Sequence, residues 1–130
     1  MTKLQSALLA TATFALGAAA VSALHAQSNA PYYNVAAINV TDKDGYEASG
    51  VDKVRDAIKM NGGKIIAGGY NKALAIDSDV PVSNRFLIVM YPSKEASDKA
   101  NTATRPWAEK VKGKYVDRFR LFGVEGIEQK

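Results

Sequence analysis

The chain has 130 residues, a length typical of one domain, and its net charge is +4. The basic residues are spread along the sequence, whereas nucleic-acid-binding proteins concentrate them in a patch, so we expect no nucleic-acid partner. There is no cysteine, and the single histidine is His25. The rest of the chain therefore lacks the residues for Ser-His-Asp or Cys-His catalysis, for zinc sites built from thiolate or imidazole, and for His-ligated haem. We expect no metal and no cofactor.

The N-terminal segment has the features of a secretory signal. Lys3 supplies a positive charge, residues 7–21 are mostly apolar, and small residues follow before the sequence turns polar. A membrane-spanning helix needs about 20 apolar residues, and this alanine-rich run is marginal for one, although an uncleaved anchor is the alternative. We interpret 1–26 as a signal peptide cleaved after Ala26, or otherwise after Ala23. The mature protein is then periplasmic or secreted, without a stable membrane anchor.

A polar leader, 27–31, precedes the first predicted strand, Tyr32–Val40, which is rich in aromatic and β-branched residues. Residues 41–44 carry side-chain oxygens that suit a helix N-terminus, because they accept hydrogen bonds from the free N–H groups of the first turn. We predict one helix from there to about Asn61. The two glycines after Asn61 indicate a left-handed helix stop.

The glycine spacing over residues 62–69 is similar to that of a phosphate-binding loop. A Gly-Tyr pair stands where that loop requires Lys and Ser or Thr, so the match fails. We interpret the segment as a second strand that is broken by a glycine bulge and resumes over residues 73–76. A loop, 77–84, then leads to our predicted inner strand, Arg85–Tyr91, in which residues 86–91 form the longest apolar strand-prone run of the mature chain.

Ser93 is expected to cap a second helix, and Glu95 is a favourable charge for its first turn. We predict that the helix restarts at residues 104–107, since proline is tolerated in a first helical turn. Trp107 and Val111 are four residues apart and should both face the interior.

The last predicted strand, 117–124, alternates between two faces and is followed by a tail, 127–130. The order of elements is βαββαβ, which is the ferredoxin-like unit, so we assign the domain 32–126 to the α+β class. Its helices can cover one face of the sheet, but the other face is also apolar. We therefore expect two protomers to pack sheet to sheet as a homodimer. The last strand is expected to place Phe119 and Leu121 on one face and Arg118, Arg120 and Phe122 on the other.

The chain carries a series of short motifs: residues 32–40 with Thr41-Asp42 and Tyr46, Gly62-Gly63, Gly68-Gly69, residues 86–91 with Pro92-Ser93, Ala96, and Val124-Glu125-Gly126. In this order and spacing, the motifs resemble the family known as domain of unknown function 1330. The resemblance covers residues 32–126 and implies a dimeric α/β barrel, in which two ferredoxin-like subunits enclose a shared cavity. Relatives in that group include cofactor-free monooxygenases, lactone isomerases and haem enzymes, but the family offers no agreed catalytic residues to carry over.

If a cavity lies between the two sheets, Arg118 and Arg120 are the best candidates for its polar lining. Two guanidinium groups that are two residues apart on a strand point the same way and are able to clamp a carboxylate or phosphate. Alternatively, one faces solvent and the other pairs with an acidic residue across the dimer. Tyr33, Asn39 and Tyr91 are further candidates for the same pocket, although tyrosine is often an amphipathic core residue.

Three functions remain open from the sequence. The first is the binding of a small molecule between the sheets, anionic if the arginines hold it. The second is a cofactor-independent enzyme of the monooxygenase or isomerase type, for which we identify no catalytic residue. The third is a non-catalytic structural or interaction module. A pocket that contains both arginines would favour the first two, and a filled interface would favour the third.

Overall fold

The computed structural model describes residues 30–128, and the predicted signal peptide, 1–26, lies outside them. Four strands form one antiparallel sheet in the order β2-β3-β1-β4. The βαββαβ order confirms the ferredoxin-like α+β fold. No helix among the described residues is long and apolar enough to cross a membrane. The elements are β1 (Tyr32–Val40), α1 (Lys43–Ala48), α2 (Val51–Met60), β2 (Lys64–Tyr70), β3 (Arg85–Tyr91), α3 (Lys94–Val111) and β4 (Val116–Glu125).

The helices cover one face of the sheet, which we call the helix face. On β1 this face carries Asn34, Ala36, Ile38 and Val40, all buried. The residues between them are half-buried and point to the opposite side, the open face, because side chains alternate along a strand. The register continues both faces onto the neighbouring strands and confirms the alternation predicted for β4. On β4 the helix face carries Phe119 and Leu121, and the open face carries Arg118, Arg120 and Phe122.

The first helical region is two helices, so the prediction of one continuous helix is wrong. Gly50 separates them with a φ of 101°, a left-handed conformation that side-chain-bearing residues rarely adopt. The break lets Tyr46 of α1 and Val51 of α2 enter the same core cluster, where both are buried. The predicted start is confirmed, since the Asp42 carboxylate accepts a hydrogen bond from the Gly45 N–H at 3.0 Å.

Strand β2 is shorter than predicted and its bulge lies elsewhere. The register shifts between Ile65 and Ala67 rather than at the two glycines. The predicted continuation over residues 73–76 is also wrong. Tyr70 is paired with Arg85, the first residue of β3, so the chain beyond Tyr70 has no strand left to pair with. This segment is highly exposed, including Leu74 at 86% and Ile76 at 99%.

Helix α3 runs without interruption and contains Pro106, so the predicted restart is wrong. A proline inside a helix costs about 3 kcal/mol, but both halves of α3 pack against the same sheet. Ala100 is buried before the proline and Val111 after it. Burial of both halves offsets the cost of the missing hydrogen bond. The inward orientation of Trp107 and the cap at Ser93, whose Oγ accepts from the Ala96 N–H at 3.1 Å, are confirmed.

The backbone at Gly68 leaves no room for a side chain. Its φ is 115°, and a Cβ atom there would overlap the carbonyl oxygen of Phe86 on β3. We expect Gly68→Ala to lower the free energy of unfolding by more than about 2 kcal/mol, because backbone strain and the clash with β3 add together. Gly113→Ala is the matched control. Gly113 has a φ of 75° but nothing within 4 Å of its virtual Cβ, so strain alone should cost ~1 kcal/mol. Urea denaturation measures both, and equal losses would contradict the clash.

Candidate functional site

The structure places four of the five predicted ligand-binding residues on the open face. Arg118 lies opposite Asn39, and Arg120 lies opposite Ala37, two positions along β1. Tyr33 is on the same face of β1 as Asn39. Asn39 donates a hydrogen bond from Nδ2 to the Asp117 carboxylate at 2.8 Å, so its amide is already engaged.

Tyr91 does not share this face, so its expected grouping with the arginines is wrong. It pairs with Tyr32, one position away from the Tyr33–Met90 pair, and its side chain therefore points to the helix face. There it is 2% exposed and packs with Ile58 and Val89. Burial raises the pKa of its hydroxyl to about 12.

A cavity of about 490 Å³ lies between the helix face and helices α2 and α3. Ligand pockets in proteins measure roughly 300–1,000 Å³ and combine an apolar wall with a few polar groups, so this cavity has the size and composition of a small-molecule site. Asn34 and Arg85 contribute polar groups to the sheet side of the cavity. Much of the wall is apolar and comes from the sheet and from α2: Ala36, Leu87, Val89, Val54 and Ile58.

Arg85 lines this cavity and is the only charged residue that is buried in the described part of the chain, with 6% exposure. Its guanidinium group lies over the rings of two tyrosines, 5.4 Å from the Tyr46 centroid and 4.7 Å from the Tyr70 centroid. Such cation–π contacts stabilise a cation by about 0.5–2 kcal/mol. No carboxylate among residues 30–128 forms an ion pair with Arg85, and its Nε has no hydrogen-bond partner.

The carboxylate of Glu47, which lies beside Tyr70, is engaged by other groups. The Tyr70 hydroxyl donates to Glu47 Oε1 at 2.8 Å, and Glu47 also pairs with Arg55 at 3.5 Å. Burial raises the pKa of Tyr46, with an opposing effect from Arg85. Burial and the hydrogen bond to Glu47 raise the pKa of Tyr70. Both phenols therefore stay neutral near pH 7, and the guanidinium charge is not compensated by a phenolate.

Around Asn34, three polar side chains form hydrogen bonds with one another. Ser97 donates from Oγ to Asn34 Oδ1 at 2.8 Å, and Asn34 donates from Nδ2 to Asn101 Oδ1 at 2.9 Å. Asn101 returns a bond from Nδ2 to the Ser97 oxygen at 3.3 Å. Because each member has a partner, this triangle holds β1 to α3, and the Nε of Arg85 is the buried side-chain polar atom of residues 30–128 that lacks a hydrogen-bond partner.

The sequence analysis missed Arg85, Tyr46 and Tyr70 as site residues. One signal was available for Arg85, since it alternates along β3 with Leu87, Val89 and Tyr91, and a face shared with apolar residues indicates a buried position. Nothing in the sequence indicated that the two tyrosines lie against this guanidinium. In the part of the chain that the structure describes, no three His, Cys, Asp or Glu residues are placed to hold a metal ion.

The solved structures that are similar to this chain in fold include two proteins without an assigned function. A protein of unknown function from Rhodopseudomonas palustris matches with a TM-score of 0.56 and 16% sequence identity, over 78% of this chain and 85% of its own. A hypothetical protein from Arabidopsis thaliana matches with a TM-score of 0.52 and 14% identity, over 79% of this chain and 94% of its own. No family model and no curated protein matches the sequence. At these identities the similarity supports the ferredoxin-like fold and says nothing of function.

The raised pKa of Tyr91 links stability to pH. Unfolded tyrosine ionises near pH 10, whereas Tyr91 in the folded protein ionises at about 12. The contribution of Tyr91 to the free energy of unfolding is therefore fully present below about pH 10. It is lost as the pH rises toward 12, and the loss amounts to about 2–3 kcal/mol. We expect urea denaturation between pH 10 and pH 12 to show that the free energy of unfolding falls more steeply with pH for the wild type than for Tyr91→Phe. Lysines titrate in both proteins, so their effect cancels when the two free energies of unfolding are subtracted. Parallel pH dependences of the two proteins would contradict the raised pKa of Tyr91.

Proposed function

We propose that the protein binds a small molecule in the cavity between its helix face and helices α2 and α3. The observation that carries this proposal is a cavity of about 490 Å³ with an apolar wall and a buried, unpaired guanidinium group at Arg85. We propose binding before catalysis because the raised pKa values of Tyr46 and Tyr70 keep both phenols protonated near pH 7, so neither supplies a phenolate as a general base in this cavity.

A ligand site between the sheets of two protomers, with Arg118 and Arg120, is the second candidate. Both arginines point to the open face, where two guanidinium groups at alternate positions are able to bind one anion. This site requires a second copy of the chain, whereas the cavity at Arg85 is formed within one protomer. The protomer cavity is therefore the leading proposal.

The open face itself supports the expected homodimer. Its β4 residues Phe122 and Val124 are 48% and 50% exposed, and β3 adds Phe86, Ile88 and Met90 on the same side. An exposed apolar patch of this kind marks a protein contact site, since burying it against a second sheet removes it from water.

The resemblance to domain of unknown function 1330 implies the same sheet-to-sheet arrangement. We propose membership of that family, and export with loss of 1–26, on the sequence motifs alone.

The ligand site is tested by two substitutions at neighbouring positions of β1. Ala36 faces the cavity and Ala37 faces the open side. Ala36→Leu should fill part of the cavity and reduce the fraction of ligand-bound protein at least ~10-fold, whereas Ala37→Leu should leave it unchanged. Native mass spectrometry of protein purified from the export compartment reports any retained ligand and the oligomeric state together. Loss of ligand in Ala37→Leu alone would place the site between the sheets.

The dimer is tested on β4, where neighbouring residues also point in opposite directions. Phe122→Asp puts a charge into the open face and should convert the dimer to a monomer, because an unpaired carboxylate is costly to bury in an apolar interface. Leu121→Asp is the control, since Leu121 points to the helix face and is 45% exposed. Light scattering after size exclusion measures both masses. A wild-type monomer, or a dimer that survives Phe122→Asp, would contradict this interface.

A further inference from the structure

We propose that the molecule bound in the cavity is a carboxylate with an apolar body, and that Arg85 binds its carboxylate group. This inference rests on the proposed function, because it names the ligand class of the same cavity. It depends on one juxtaposition: a buried guanidinium without a counter-ion lines a cavity whose remaining wall is mostly apolar.

The first argument is the missing counter-ion. Arginine is almost never fully buried unless it is paired, because transfer of a charge out of water is costly. Arg85 is 6% exposed, belongs to none of the ion pairs among residues 30–128, and has an Nε without a hydrogen-bond partner. A carboxylate in the cavity supplies the negative charge that no ion pair among residues 30–128 gives to Arg85. The planar guanidinium group matches a carboxylate with two parallel hydrogen bonds.

The second argument is the way the neighbours hold Arg85. Tyr46 and Tyr70 place their rings against the guanidinium group, at 5.4 and 4.7 Å, and thereby restrict its orientation. Their rings stabilise the cation without neutralising it. Glu47, the carboxylate of this cluster, is held by Tyr70 and Arg55. The charge of Arg85 therefore remains available to a ligand and is already oriented, which lowers the entropy cost of binding.

The third argument concerns the number of charges. The other basic residues of the lining are exposed or already paired: Arg55 pairs with Glu47 and Asp52, Lys112 pairs with Glu109, and Arg105 is exposed. Arg85 is the one buried positive charge of the described lining, which suits a ligand that presents a single negative charge to it. A phosphate monoester would bring a second negative charge beside the apolar wall, so a monoanionic carboxylate fits better.

The test compares two probes that differ in charge and share the same ring system, 2-naphthoate and 2-naphthylmethanol. The full-length protein is first unfolded and refolded by dialysis to remove any bound molecule, and each probe is titrated by calorimetry. We expect naphthoate to bind wild type at least ~10-fold more tightly than the alcohol, which corresponds to about 1.4 kcal/mol. Arg85→Met should lose this preference and still bind naphthylmethanol. Arg120→Met is measured in parallel to test the second candidate site on the open face. Lys99→Met is the control and should keep the preference, because Lys99 is an exposed cation of α3 outside the cavity lining.

The outcomes separate the ligand class from the binding function. If wild type binds the alcohol and naphthoate equally, the carboxylate inference is overturned while the cavity proposal stands. If neither probe binds, both the carboxylate inference and the cavity proposal are contradicted. Loss of the preference in Arg120→Met instead of Arg85→Met would transfer the anion site to the open face. Competition by inorganic phosphate at the concentration of naphthoate would overturn the assignment to carboxylates.

A stability measurement on ligand-free protein distinguishes a binding role of Arg85 from a purely structural one. Replacing a buried charge by an apolar side chain of similar length is commonly neutral or stabilising, so Arg85→Met should unfold at an equal or higher urea concentration than wild type. A lower midpoint, or failure of the variant to fold, would make Arg85 a structural element held by its tyrosine contacts and would overturn the inference. The probe preference of the wild type is measured independently of this variant.

Discussion

The pairing of β1 with both of its neighbours is the constraint on which the rest of the structure depends. Ala36 lies opposite Leu87 of β3 and opposite Leu121 of β4, so alternate residues of three strands share the helix face. This register turns Arg85 toward the helices and Phe86 toward the open side. A slip of one residue between β1 and β3 would exchange the two and move every side chain of β3 to the opposite face. The charge in the cavity is thus a consequence of backbone register.

The cavity persists because two contacts separate α3 from the sheet at either end of it. The Asn34–Ser97–Asn101 triangle is one, and its hydrogen bonds fix the distance between β1 and α3. The other is Trp107, which packs edge-on against its aromatic neighbours and donates a hydrogen bond to the Ser49 hydroxyl at 2.9 Å. Between these contacts several lining side chains are too small to fill the layer. These residues are Ala36, Thr104 and Ala108.

Local signals in the sequence predict the strands and their order. The wrong predictions lie where tertiary contacts override local propensity. β1 and β3 were predicted with the bounds that the structure has, because aromatic and β-branched runs flanked by turn residues are strong strand signals. Residues 73–76 have strand propensity but no partner strand, and Pro106 lies in a helix because packing on both sides of it outweighs its cost. Alternation predicts that Arg85 and Tyr91 share a face, but which face the helices cover depends on long-range pairing.

A buried charge without a counter-ion is costly, so we expect Arg85 to make the unliganded protein less stable than its packing alone would allow. Natural sequences break local rules mainly where function requires it, and the stability lost there is recovered elsewhere in the fold. Arg85 is such a position, since an apolar residue would satisfy the alternation of β3 better than arginine does. A ligand that supplies the missing negative charge binds the folded state alone and stabilises it in proportion to the logarithm of its concentration. In the complex that we propose, the charge that weakens the empty fold would also provide the free energy by which a carboxylate is distinguished from a neutral molecule of the same shape.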